Sequence, residues 1–118
     1  LFNIDEEAFK DIDEIEMMPI CDYGEPNYWL SCIILKKNSR VKPIDIILAL
    51  EKENIEARHI WKPMHLQPIF KDFEFYTISK DGHSISEDIF NRGVCLPSDT
   101  KNTDEDMGRI IKIVRELF

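Results

Sequence analysis

Asn27-Tyr28-Trp29-Leu30-Ser31-Cys32-Ile33-Ile34-Leu35 is the stretch on which the fold turns. It is rich in aromatic and β-branched residues, largely apolar, and bounded by Pro26 and the polar turn Lys36-Lys37-Asn38-Ser39-Arg40. A continuous run of this kind predicts a strand buried on both faces. Downstream, Pro43 suits the first position of a helix, where its missing N–H costs nothing. Ile44, Ile47, Leu48 and Glu51 then recur at helical spacing, and Asn54 fits a left-handed cap. Ile55 to Ile60 reads as a second strand.

Further out, the signals alternate. Residues 1–16 are acidic with a partial apolar stripe at Phe2, Ile4, Ala8, Phe9 and Ile12, and predict a short helix or the tail of a longer one. Pro63 and Pro68 make 61–73 a loop. Phe73 to Ile78 fits a short strand or a helical turn. Ser86 is placed to cap a short helix over 87–91, and Gly93 to Pro97 reads as a short apolar strand. Thr103 opens a last helix with Asp104, Glu105 and Asp106 at its positive end. Met107, Ile110, Ile111, Val114, Leu117 and Phe118 form its apolar face. Short strands interleaved with helices predict one α/β or α+β domain over 1–118, with helices packed on a small sheet.

The 118 residues carry 15 basic and 23 acidic side chains, a net charge of −8. That balance disfavours a nucleic-acid partner, which requires a basic face, and an anionic membrane surface. Three cysteines with wide spacings, Cys21, Cys32 and Cys95, do not make a disulfide scaffold, so reduced thiols in a cytoplasmic protein are expected. The longest apolar run is far below the ~20 residues of a membrane helix. No signal-peptide pattern is visible, and the lack of a starting Met fits either an excised fragment or a trimmed terminus.

No catalytic constellation stands out. His59 and His65 are separated by Pro63 and lack zinc spacing, so no metal site is expected. No G-x-S-x-G, P-loop or dinucleotide fingerprint is present. The unusual segment is 56–70, which gathers Arg58, His59, Trp61, Lys62, His65 and Gln67 between two prolines. It reads either as a structured loop that plugs the core with Trp61, Met64, Leu66 and Phe70, or as a pocket wall. In the second reading Arg and Lys meet an anion, His hydrogen-bonds, and Trp stacks on a ring. The residues alone leave both open.

Several stretches carry a resemblance: Asn27-Tyr28-Trp29-Leu30-Ser31, Glu53-Asn54-Ile55-Glu56-Ala57-Arg58, Trp61-Lys62-Pro63-Met64-His65-Leu66-Gln67-Pro68, Glu87-Asp88-Ile89-Phe90 and Arg92-Gly93-Val94-Cys95-Leu96-Pro97-Ser98. In order and spacing, from about Glu14 to Phe118, the chain resembles the C-terminal domain of the DegT/DnrJ/EryC1/StrS family. These are pyridoxal-phosphate-dependent aminotransferases of nucleotide-linked keto-sugars, and the likeness is greatest to the branch that serves bacterial surface glycans. The resemblance implies the small C-terminal domain of a fold-type-I aminotransferase. It implies a full-length homodimer that moves an amino group, from glutamate, to a sugar ketone. The Schiff-base lysine and main phosphate contacts would lie in a large domain absent from this chain, which leaves it without catalytic or cofactor-binding residues and inactive alone. His65, Trp61, Arg58 and Asn27 would contact substrate. Removal of the large domain would expose an apolar patch around Met17, Met18, Trp61 and Phe70. The rival reading is a free-standing α/β module that binds a small ligand or a protein without catalysis.

Overall fold

The computed structural model describes residues 1–118. Its elements in chain order are α1 (Phe2–Phe9), β1 (Ile15–Met17), β2 (Ser31–Leu35), α2 (Pro43–Lys52), β3 (Arg58–His59), α3 (Ile85–Arg92), β4 (Gly93–Leu96) and α4 (Asp104–Arg115), with single 3-10 turns at Met64–Leu66 and Pro68–Phe70. The four strands form one sheet in the order β1-β2-β4-β3. Every pairing is antiparallel, so the domain is α+β rather than a parallel α/β unit.

The strand expected over Asn27–Leu35 forms only from Ser31, and it is not buried on both faces. Ser31, Ile33 and Leu35 are buried, whereas Cys32 and Ile34 are half-buried on the other face. The start is set by the neighbour. Ser31 lies opposite Leu96, and the next residue of that chain is Pro97, which has no N–H to give a ladder. Ser98 ends the pairing instead: its hydroxyl accepts from the Ser31 N–H at 2.8 Å and donates to the Leu96 carbonyl at 2.8 Å. Upstream, Tyr28 takes φ +50° and turns the chain out of the sheet.

The strand expected over Ile55–Ile60 is shorter than expected. It pairs only through Arg58↔Cys95 and His59↔Val94. Three further expectations are corrected. The helix read into 1–16 stops at Phe9, and Ile15–Met17 becomes β1, paired with Leu35, Ile34 and Ile33. Phe9, Ile12 and Ile15 fall at i, i+3 and i+6, a spacing that imitates a helix. Phe73–Ile78 is neither strand nor helical turn, because no strand lies beside it to take its backbone groups. The cap of α3 is Ser84, whose Oγ accepts from the Glu87 N–H at 3.2 Å, and Ser86 lies inside the first turn.

The other helix starts and caps are realised, but the buried face of α2 is shifted from the expected stripe: Ile44, Leu48 and Glu51 are exposed, and Ile46 and Leu50 enter the core. Pro43 opens α2, and the Asp45 carboxylate accepts from the Lys42 N–H at 2.8 Å. Asn54 takes φ +59° just past the helix. Thr103 and Asp106 form a reciprocal cap at α4. Helices α2 and α4 lay their apolar stripes on one face of the sheet. Ile46, Leu50, Met107 and Val114 meet Ile33 and Val94 there, all at 2% exposure or less. Each such side chain contributes about 1.5–3 kcal/mol of burial. Helix α3 packs against β2 and β4, and Arg92 Nη1 donates to the Leu35 carbonyl at 2.5 Å.

Two polar side chains enter the core. Ser31 Oγ donates to Asp5 Oδ2 at 2.5 Å, with Asp5 and Ser31 0% and 1% exposed. Asp5 Oδ1 has no partner.

Candidate functional site

The segment between β3 and α3 leaves and re-enters the sheet at neighbouring strands, so its two ends are fixed side by side. Pro63 and Pro68 precede or open the two 3-10 turns. The Gln67 side-chain amide closes the first of them, donating to the Lys62 carbonyl at 3.2 Å.

Trp61 is 63% exposed and lies against Trp29, itself 68% exposed, with ring centroids 5.8 Å apart and planes tilted by 41°. Asn27 builds the turn that presents Trp29: its Oδ1 accepts the Trp29 N–H at 3.1 Å. This side chain–backbone turn is the local geometry that asparagine favours. Tyr28, between them, is anchored on Phe2 at 5.3 Å. Two largely exposed indoles held in register present ring faces and edges suited to stacking on a planar or sugar ring.

Arg58 stands three residues before Trp61 on the sheet edge. Its guanidinium meets Glu56 Oε1 at 2.5 Å and 2.7 Å, with both side chains exposed. Such a pair contributes about 0–1 kcal/mol, so an incoming anion competes for this arginine at low cost. Lys62, four residues on, is exposed.

His65 is placed differently. Its ring stacks on Phe75 at 3.9 Å, and its Nε2, buried without a hydrogen bond, sits 3.5 Å from Glu87 Oε2 of α3. It joins Pro63, Phe70 and Phe75 around an open groove of about 440 Å3. Thus Asn27 and Trp61 share one aromatic corner, Arg58 is paired with Glu56 on the strand before it, and His65 pins the loop to α3. The sequence reading missed Trp29, Phe75 and Glu87. An aromatic pair just after Pro26 and ahead of the β-branched run was the available signal for Trp29. Of the four side chains expected in an apolar patch, only Trp61 is largely exposed. Met17, Met18 and Phe70 are half-buried, and the exposed apolar surface instead lies on residues such as Trp29, Met64, Ile69 and Tyr76.

No three His, Cys, Asp or Glu side chains converge to hold a metal ion. No helix is long and apolar enough to cross a membrane.

Comparison with known proteins gives this geometry a setting. The chain is 40% identical over 111 residues to EpsN of Bacillus subtilis (strain 168), named as a pyridoxal phosphate-dependent aminotransferase; the match covers 94% of this chain and 28% of EpsN. It is 26% identical over 110 residues to GDP-perosamine synthase of Vibrio cholerae, covering 89% and 29%. In structure it superposes on Helicobacter pylori PseC, an aminotransferase involved in pseudoaminic acid biosynthesis, with a TM-score of 0.77, 19% identity and coverage of 99% and 30%. The chain therefore spans less than a third of the curated relatives it matches. It has the fold of a small domain of these enzymes. The family model for the DegT/DnrJ/EryC1/StrS aminotransferases matches residues 2–115, and the chain belongs to that family.

Proposed function

We propose that residues 1–118 form the C-terminal domain of a sugar aminotransferase and face the substrate side of its active site. The reaction is transfer of an amino group, from glutamate, to the ketone of a nucleotide-linked sugar in bacterial surface-glycan synthesis. It takes place in the cytoplasm in a homodimer. The observation that carries this reading is the exposed Trp29–Trp61 pair on a chain of this family, with Arg58 on the strand that runs up to Trp61. Trp61 stacks on a ring of the substrate, Arg58 pairs with an anionic group, Asn27 shapes the turn that positions Trp29, and His65 meets phosphate or sugar hydroxyls from the loop that it holds against α3.

Pyridoxal phosphate does not fit the residues of this chain. A Schiff-base lysine needs partly dry surroundings that favour its neutral form, and all ten lysines here are exposed. In this reading the cofactor is held outside these residues, and the chain alone is inactive.

The test uses the full-length protein loaded with pyridoxal phosphate, glutamate and a nucleotide-linked keto-sugar. Trp61→Ala and Arg58→Ala are expected to lower kcat/KM for the sugar tenfold or more, with KM for glutamate unchanged. Unaltered sugar kinetics in both variants would overturn the assignment of this face. Turnover by the 118-residue chain alone would overturn the placement of the cofactor.

A further inference from the structure

Cys32 and Cys95 are directly opposed across the central strand pair β2–β4. Their sulfurs are 3.7 Å apart. Opposed residues of an antiparallel ladder have Cα atoms about 4.5–5.5 Å apart, inside the window of about 4.4–6.8 Å that a disulfide bridges. The sulfurs need to approach by about 1.7 Å to reach bonding distance, a movement available to side-chain rotation with the ladder intact. We propose that Cys32 and Cys95 are a reversible oxidation site, which closes to an intramolecular disulfide when the protein meets a hydroperoxide.

The two sulfurs have distinct surroundings. Cys32 is half-exposed and Cys95 is 7% exposed. The contact between them favours the thiolate at Cys32, while Cys95 keeps its proton. The thiolate is the nucleophile, so Cys32 attacks and Cys95 resolves. The Cys32 thiolate attacks one oxygen of hydrogen peroxide; the O–O bond breaks, and hydroxide leaves and takes up a proton as water. The resulting Cys32 sulfenic acid is then attacked by the Cys95 sulfur, which loses its proton as the S–O bond breaks and a second water leaves. In sum, two thiols and one hydrogen peroxide give one disulfide and two waters. The adjacent resolving thiol diverts Cys32 from further oxidation.

Cys21 is the internal control. It is exposed on the connection between β1 and β2 and is not opposed to another cysteine. Its pairing would join two molecules.

The test exposes the purified chain to a few equivalents of hydrogen peroxide, then counts thiols after denaturation and maps peptides without reduction. The expected result is loss of two of the three thiols, one peptide pair joined through Cys32 and Cys95, a mass lower by two hydrogens, and full reversal by dithiothreitol. Cys21→Ser is expected to form the same bond. In Cys32→Ser, the Cys95 thiol is expected to survive the same treatment. Retention of all three thiols, dimers linked only through Cys21, or Cys32 sulfinic acid beside a free Cys95 would each overturn the proposal.

Discussion

Ser31 Oγ holds Asp5 Oδ2 at 2.5 Å and joins the first residue of β2 to the first turn of α1 inside the core. Burial pushes the Asp5 carboxyl above its ordinary value of 3.8, and the hydrogen bond from Ser31 draws it partly back. The folded chain therefore holds this proton more tightly than the unfolded chain. That contribution to stability is fully present below the unfolded value and is lost as pH rises through the raised folded one. Asp5→Asn is expected to flatten this part of the thermal midpoint–pH curve. A constant offset between the two curves would refute the linkage. Ser31→Ala leaves both Asp5 oxygens without a partner and is expected to cost about 1–3 kcal/mol in chemical denaturation.

Asp88 has the opposite sign. Arg92 donates to both its oxygens, at 2.9 and 2.6 Å, and holds its carboxyl below the ordinary range. This stability is present above the unfolded pKa and is lost as pH falls through the folded one. Arg92→Met also removes the bond to the Leu35 carbonyl that ties α3 to the sheet. It is expected to lower stability by about 1–3 kcal/mol and to remove the acid-side loss due to Asp88, measured by urea denaturation at several pH values.

Asp11 provides a direct spectroscopic check on a long-range contact. Its two oxygens accept from Arg115 of α4 at 2.7 Å each, which holds the carboxyl down at about 2. Carbon-detected NMR titration is expected to report that value. In Arg115→Ala the titration should move back into the ordinary aspartate range; an unshifted curve would mean that the pair does not persist in solution.

Gly93 begins β4 where α3 ends. A Cβ there would lie 2.2 Å from Ile60 Cδ1 and 2.6 Å from the Ile89 carbonyl oxygen. The isoleucine end can swing aside, but the carbonyl belongs to the helix backbone. Gly93→Ala is expected to cost about 1–3 kcal/mol, seen as a lower denaturation midpoint with an unchanged m-value. Ile60→Ala in the same background should recover only part of it.

The tryptophan corner separates stability from activity. Because Trp29 and Trp61 are more than 60% exposed, alanine at either is expected to change stability by less than about 1 kcal/mol. The same changes in the full-length enzyme should weaken use of the sugar substrate. A large loss of stability from Trp61→Ala would return this residue to the core-plug reading.

The legible parts of the fold were those governed by local chemistry. Pro43, Asn54 and Thr103 announce their positions because each backbone constraint is satisfied within a few residues. The lengths of β2 and β3 were not legible. The start of β2 is set by Pro97, which lies more than 60 residues from Ser31 in sequence and acts only once the strands are paired. Strand β1 was hidden because its isoleucine continues a helical spacing. For the candidate site, the sequence singled out Trp61, Arg58, Asn27 and His65 one by one, but not their arrangement. The tilted contact of Trp29 with Trp61 and the stacking of His65 on Phe75 join segments with no shared periodicity.

The pairing of β3 with β4 has an evolutionary consequence. Both roots of the 60–92 excursion stand on adjacent strands, so it behaves as a cassette plugged into one edge of a finished sheet. Loop-closure entropy grows slowly with length, by about 0.6 kcal/mol per doubling. Insertions and deletions within 61–83 therefore leave the ladder and the α2–α4 core intact. One scaffold can thus carry loops of different length and chemistry at this edge, without renegotiating the stability of the whole.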